Sequence, residues 1–201
     1  MTDDVAMLVL RCREGDRGAE SAVAQRASTR ALQIAVVAMG DVHGARDVSQ
    51  EVAVRVLRGI GALRAPDRFD AWVYRITASE IRRAYGRRRR RSEVSLDEHV
   101  EAASGPEAGA ISTGDRLLIR AELRAAMMDL SVRERTVLAL RYIHDLDDVQ
   151  IARVMRCRAV TVRSLLSRAR AKLSRHPALA DPATPAAANR LRARIVGDPL
   201  A

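Results

Sequence analysis

Residues 129–175 read DLSVRERTVLALRYIHDLDDVQIARVMRCRAVTVRSLLSRARAKLSR. Ser131 followed by Glu134, and Asp147 followed by Gln150, have the spacing of capping boxes, in which the first side chain accepts from a free backbone N–H and the second reaches back. Two helices therefore start just after Ser131 and Asp147. Beyond Asp147 the apolar residues Val149, Ile151, Ala152, Val154 and Met155 predict one short helix, and Val160, Val162, Leu165, Leu166 and Ala169 predict the next, with a break at Arg156 to Arg158. The second helix keeps Thr161, Arg163, Ser164, Ser167, Arg168, Arg170 and Lys172 off its apolar side, a donor-rich surface suited to phosphate oxygens and to purine edges in a major groove. This is the pattern of a helix-turn-helix that reads duplex DNA. Charged residues also solvate ordinary amphipathic helices, and a helix-turn-helix by itself does not specify a job, so the rest of the chain must decide.

The chain has 201 residues and a formal charge of +10, enough for one medium or two small domains with a polyanionic partner. The distribution of charge says more than the sum. Residues 1–91 carry net +7, 92–115 net −6, 116–176 net +8 and 177–201 net +1, so two basic blocks flank an acidic joint. Lys172 is the sole lysine; nearly every positive charge is a forked guanidinium, which a GC-rich coding sequence would also produce. Cys12 and Cys157 are too few and too far apart for a four-ligand zinc site, a secreted disulfide framework would normally show more, and both read as free thiols. The opening MTDDVAM is acidic, and no apolar run approaches the ~20 residues needed to span a bilayer, so a soluble cytoplasmic protein without membrane insertion is expected.

Apolar residues recur at helical spacing almost throughout, and alternating β-type runs are missing, so the fold is expected to be all-α. Candidate helices lie near 4–13, 18–39, 44–60, 67–86, 115–129, 132–143, 148–155 and 159–173. Residues 92–114, rich in Gly, Ser and acid, read as a flexible acidic linker between two small helical domains, 1–91 and 115–176. Pro177, Pro182 and Pro185 then open a Pro/Ala-rich tail, 177–201, to which no function is assigned.

In the first domain, Val48, Val52, Val56 and Ile60 recur every four residues as a buried stripe, which leaves Asp47, Gln50, Glu51, Val54 and Arg58 on the opposite, mixed face. Phe69, Trp72, Val73 and Ile76 form the core stripe of the next helix, with Arg75, Ser79 and Arg82 on another face. That helix runs into the five arginines Arg87 to Arg91, which cannot pack and read as a phosphate-seeking end.

The order Asp47-x-x-Gln50-Glu51, Phe69-x-x-Trp72-x-Tyr74-Arg75-Ile76, a basic end, Ser95-Leu96-Asp97-Glu98, and Leu130-Ser131-x-Arg133-Glu134-Arg135-x-Val137-Leu138 resembles the extracytoplasmic-function (ECF) sigma factors of the bacterial sigma-70 family, over about residues 5–175. Ile151-Ala152, Thr161 to Ser164 and Arg168 to Arg170 extend the likeness into the second domain. The resemblance implies a promoter-specificity subunit whose partners are core RNA polymerase, promoter DNA and an anti-sigma factor. Residues 1–91 would dock on the polymerase and recognise and melt the −10 element; residues 115–176 would read −35. Asp47, Gln50, Glu51 and Arg58 would face the polymerase clamp. Arg75, Ser79, Arg82, Arg83, Arg87 and Arg88 would meet −10 DNA, and the loop Gly61 to Arg68 would hold an extruded base. Thr161, Arg163, Ser164, Ser167, Arg168 and Arg170 would meet −35 DNA. Melting would be driven by binding, without ATP, cofactor or metal. The acidic linker would thread the positively lined RNA exit path.

Several residues depart from that family. Arg156 stands where glycine is usual in the turn and Arg158 where a capping Ser or Thr is usual, which predicts a looser turn. Leu165 replaces an arginine, and Ser79 and Glu80 stand where asparagine is common, so promoter sequence should not be copied from relatives. Scarce aromatics leave an Ala- and Val-rich core and predict modest stability without a partner. Two other classes compete. A free-standing regulator would bind palindromic half-sites as a dimer, but has no use for the 47–51 face or the 69–91 helix. A nucleic-acid enzyme needs a nucleophile with a base or clustered carboxylates, and His43, His99, His144 and His176 show no ligand spacing.

Overall fold

The computed structural model describes residues 2–94 and 123–176, and these are helical with short connections. The expected linker beyond Val94 and the tail from Pro177 lie outside the described residues. Four helices form the first unit: α1 (Thr2–Arg13), α2 (Arg17–Met39), α3 (Val42–Gly59) and α4 (Phe69–Val94), with short 3-10 turns at Ile60–Ala62 and Pro66–Arg68 between the last two. After a helical stretch at 123–128 come α5 (Val132–Tyr142), α6 (Asp148–Met155) and α7 (Ala159–Arg175).

Helix α2 is central. Ala19, Val23, Ala27, Ala31, Ile34, Ala35 and Ala38 form its buried side, and the alanines let α3 approach closely. Asp16 starts the helix by accepting from the N–H groups of Gly18 and Ala19, which with the Arg11 guanidinium hold its carboxyl below the usual range. Gly40 ends it in the left-handed conformation at φ 68°, and Met128 occupies the space that a Cβ there would need. On α3 Val48, Val52 and Val56 are buried, as their four-residue spacing predicts, with Ile60 just beyond, and Ala45 joins them. Arg26 clasps Asp70 through two bonds, 2.9 and 2.7 Å, and so fixes α4 against α2.

In the second unit both predicted capping boxes are present, Ser131 with Glu134 and Asp147 with Gln150. Burial opposes ionisation of Glu134, but the Ser131 N–H and the Lys172 ammonium at 3.0 Å outweigh it and hold the carboxyl below its usual range. Arg141 bonds Asp148 at 3.0 Å and the Leu146 carbonyl at 3.1 Å, which sets α6 against α5.

Three expectations change. Helix α4 does not stop near 86 but continues through the arginine run to Val94, because arginine is a good helix former and its charge suits the carbonyl end of a helix. The arginines are thus an ordered, exposed helical end through Arg90, and Ser92 to Val94 belong to the helix, not the linker. Val149 and Val160 are 49 and 58% exposed, since each sits in a first turn that points away before its helix meets the core. The helix-turn-helix turn is closed, not loose: Arg156 itself takes the left-handed conformation, φ 51°, and its N–H and that of Cys157 both bond the Ala152 carbonyl.

The two units pack on each other. Seven successive residues of α5, Glu134 to Leu140, are buried because α2 covers one side of the helix and α7 the other. Arg135, 5% exposed, donates from Nε to the Ala38 carbonyl at 2.8 Å, and Arg124 reaches the Gly40 carbonyl at 2.7 Å, so two guanidinium groups close the carbonyl end of α2. Helix α6 lies against α4, and the Tyr74 ring meets His144 with centroids 4.7 Å apart.

Candidate nucleic-acid interface

Helix α7 buries Val162, Leu165, Leu166, Ala169 and Leu173, and this period turns the intervening residues outward. Arg163, Ser164, Ser167 and Arg168 are exposed along one strip, and Thr161 is half-buried at its start. Leu165, in the place of the family's arginine, is a core residue at 5% exposure. Arg170 is half-buried, and its guanidinium is held at 3.1 and 2.9 Å by the Tyr142 hydroxyl of α5. It braces α7 as well as lying near the strip.

A second basic strip runs along α4. Arg75, Arg82, Arg83, Arg87 and Arg88 are exposed and Ser79 is half-buried, while Val73, Tyr74, Thr77, Ala78 and Ile81 face inward. The fourteen residues of helix from Arg75 to Arg88 carry this strip over roughly 20 Å. Arg88 also pairs with Asp41 at 3.2 Å. Glu80 is the exception to the strip's charge. It is 2% exposed, and its carboxylate meets Arg55 at 2.8 Å and Arg83 at 3.4 Å, so its burial is matched by two cations.

On α3 the residues Asp47, Gln50, Glu51 and Arg58 are exposed together with Val54 and Leu57, 41 and 38% exposed. The spacing of these six residues aligns them on one side of the helix. Arg55 bonds Glu51 at 2.7 Å and holds its carboxyl below the usual range. An open groove of about 690 Å³ separates this face from α4, lined by Asp47, Glu51, Arg55, Glu80, Arg83 and Arg87 among others. It is a mixed-charge surface with exposed apolar side chains, suited to protein contact.

The loop between α3 and α4 is anchored by Ile60 and Leu63, 7 and 8% exposed, and by fully buried Phe69, while Gly61, Ala62, Arg64, Asp67 and Arg68 face solvent. Arg13 reaches this loop from α1. Neither the Arg13 bonds nor the Glu80–Arg55 pair was visible in the sequence, because each joins residues distant in the chain. The Glu51–Arg55 pair, at i,i+4, was open to a sequence reading.

Among the described residues no group of three or more His, Cys, Asp or Glu could hold a metal ion, and no helix is long and apolar enough to cross a membrane. Cys12 is buried and Cys157 half-buried, both as free thiols.

Known proteins share this arrangement. The family description Sigma-70 region 2 matches residues 24–91, and Sigma-70, region 4 matches 120–173. The RNA polymerase sigma-H factor of Pseudomonas aeruginosa is 33% identical over 171 residues, covering 81% of this chain and 88% of that protein. The ECF RNA polymerase sigma-E factor of Escherichia coli K12 is 32% identical over 179 residues, covering 85 and 91%. In structure the chain resembles CnrH, solved in complex with the cytosolic domain of CnrY, with a TM-score of 0.59 at 23% identity over 85% of this chain and 94% of that one, a likeness of fold. With both sigma regions matched in order and relatives aligned along most of its length, the chain belongs to the extracytoplasmic-function sigma factors of the sigma-70 family, the promoter-specificity subunits of bacterial RNA polymerase.

Proposed function

We propose that the three exposed faces divide the work of initiation. The α3 face, Asp47, Gln50, Glu51 and Arg58 with Val54 and Leu57, binds core polymerase. The α4 strip, Arg75, Ser79, Arg82, Arg83, Arg87 and Arg88, engages −10 DNA, and the exposed tip of the Gly61 to Arg68 loop receives an extruded base. The α7 strip, Thr161, Arg163, Ser164, Ser167 and Arg168, reads −35, with Arg170 holding the helix in place and adding charge beside the groove. Residues 1–91 and 115–176 are the two working domains, and the protein acts in the cytoplasm as an initiation factor, not an enzyme. The observation that carries this reading is the pairing of two separate arginine strips, on α4 and α7, with a mixed face on α3 that lacks their uniform charge.

Opening DNA by binding alone requires that contacts to the unpaired strand offset the few kcal/mol lost on unstacking a base. The α4 arginines supply phosphate contacts next to the loop. An anti-sigma partner fits the mixed face on α3, because covering it would block polymerase; CnrH, with the same fold, is bound by the cytosolic domain of another protein.

Run-off transcription from a promoter library, with purified core polymerase and this chain, tests the reading. Transcripts sharing spaced −35 and −10 motifs are the expected result. Binding to a palindromic site without core polymerase, and no core-dependent starts, would instead mark an operator-binding regulator.

A further inference from the structure

We propose that Arg13 is a positioning residue for −10 recognition: from α1 it braces the α3–α4 loop in the shape that receives the extruded base. This rests on the reading of the Gly61 to Arg68 loop given above.

Helix α3 ends at Gly59 and passes straight into the 3-10 turn Ile60–Ala62, where the Ile60 carbonyl accepts from the Leu63 N–H at 3.3 Å and keeps a second lone pair, and the Leu63 carbonyl lies past the last regular turn. Arg13 bonds both carbonyls at once. Its Nε donates to the Ile60 carbonyl at 3.2 Å and its Nη2 donates to the Leu63 carbonyl. A guanidinium is the side chain suited to this task, because its rigid fork spans two acceptors and its charge complements a carbonyl-rich helix end. Around it, α1 packs against both 3-10 turns, and Val9 and Cys12 are buried one turn and one residue before Arg13. The loop is therefore fixed at its base, by Ile60, Leu63 and Arg13, while Gly61, Ala62, Arg64, Asp67 and Arg68 remain exposed.

Helix α1 lies before residue 24, where the match to sigma-70 region 2 begins, so that match gives the helix no task. Bracing supplies one. A loop that had to order itself around each base would spend binding energy on its own backbone, whereas a loop already held can spend it on discrimination.

The test uses the full chain with core polymerase, on a promoter recovered from the library and on its single-base −10 and −35 variants. Open complexes are measured by permanganate reactivity of unpaired thymines, alongside core affinity and thermal unfolding. Arg13→Ala should lower open complexes at least tenfold and flatten the preference among −10 variants, with core affinity and the preference among −35 variants within twofold of the parent. Arg13→Lys, which reaches one carbonyl, should recover part of the −10 preference, and it decides the question by the same comparison should the alanine variant not fold. Arg64→Ala and Asp67→Ala probe the loop itself. If they alter −10 preference and the Arg13 variants do not, the bracing role is overturned; if neither set does, the loop reading falls and takes the proposal with it.

Discussion

Arg156 holds a backbone conformation, φ 51°, that glycine adopts freely and other residues adopt at a cost of roughly 1–2 kcal/mol. Two residues on, Arg158 caps α7 with its backbone alone; no side-chain bond satisfies the first N–H groups. Arg156→Gly should therefore raise stability by about 1 kcal/mol, and Arg158→Ser by about 1 kcal/mol more. Urea unfolding checks both, and unchanged midpoints would mean that the turn stores no strain. The exposed and the braced arginines of α7 should also separate. Arg168→Ala should weaken −35 binding and lower its salt dependence with little effect on folding, whereas Arg170→Ala, which also loses the Tyr142 bond, should reduce folding stability. Binding titrations at several salt concentrations, paired with unfolding curves, distinguish the two. The sequence displayed the departures at 156 and 158, but not their outcome, because whether a turn loosens or strains depends on the packing of the helices on either side.

At the scale of elements, the helices were legible where a cap or an apolar period marked them. Ser131 and Asp147 placed the starts of α5 and α6, and the valine period on α3 assigned its two faces. The end of α4 was not legible, since arginine runs carry no apolar period and their helicity is supported by the turns before them. Gly86 sits inside this helix, and a Cβ there would meet nothing within 4 Å. Gly86→Ala should stabilise by about 0.5–1 kcal/mol by reducing the freedom of the unfolded chain. Calorimetry on the full chain measures it, and a loss of stability would show that the helix uses the glycine's flexibility. Helix α5 illustrates the opposite limit. Its sequence has the apolar spacing of an ordinary amphipathic helix, yet Glu134, Arg135 and Thr136 are buried as well, because partners stand on both sides.

For the whole molecule, the contact between the two units includes buried polar bonds. Burial pushes the Arg135 guanidinium below its ordinary value, and it donates to the Ala38 carbonyl at the end of α2 and to the Met127 carbonyl. Arg135→Ala would leave the Ala38 carbonyl without that donor, at about 1–3 kcal/mol if it stays buried. The expected result is a wider separation between fluorophores placed on α3 and α7, and an unchanged separation would assign the docking to apolar contacts alone. His144 gives this contact a pH dependence. Burial first, and then the charge of Arg30, push its pKa from 6.5 to about 4, opposed by Asp70 and Asp145. Below pH 6.5 the exposed imidazole takes up a proton while the docked one stays neutral until about 4, so docking is favoured above 6.5 and lost progressively as pH falls toward 4. At about 1.4 kcal/mol per tenfold in proton affinity the loss is at most about 3.5 kcal/mol. His144→Phe keeps a ring against Tyr74 and should flatten the fall in stability over that range. A pH series of unfolding free energies for both proteins provides the comparison, and parallel curves would remove His144 from the account.

The sequence by itself determined the helices, the two-domain order and the family, because caps, apolar periods and motif order are local and survive without knowledge of the partners. It also marked the outward strips on α4 and α7, since a buried stripe defines its opposite face. Only the tertiary structure decided that Glu80 and Arg135 are buried, that Arg170 bonds to Tyr142, that Arg13 holds the loop, and that α5 lies between α2 and α7. Each of these joins residues far apart in the chain, and no periodicity along one helix can specify which distant surface will cover it.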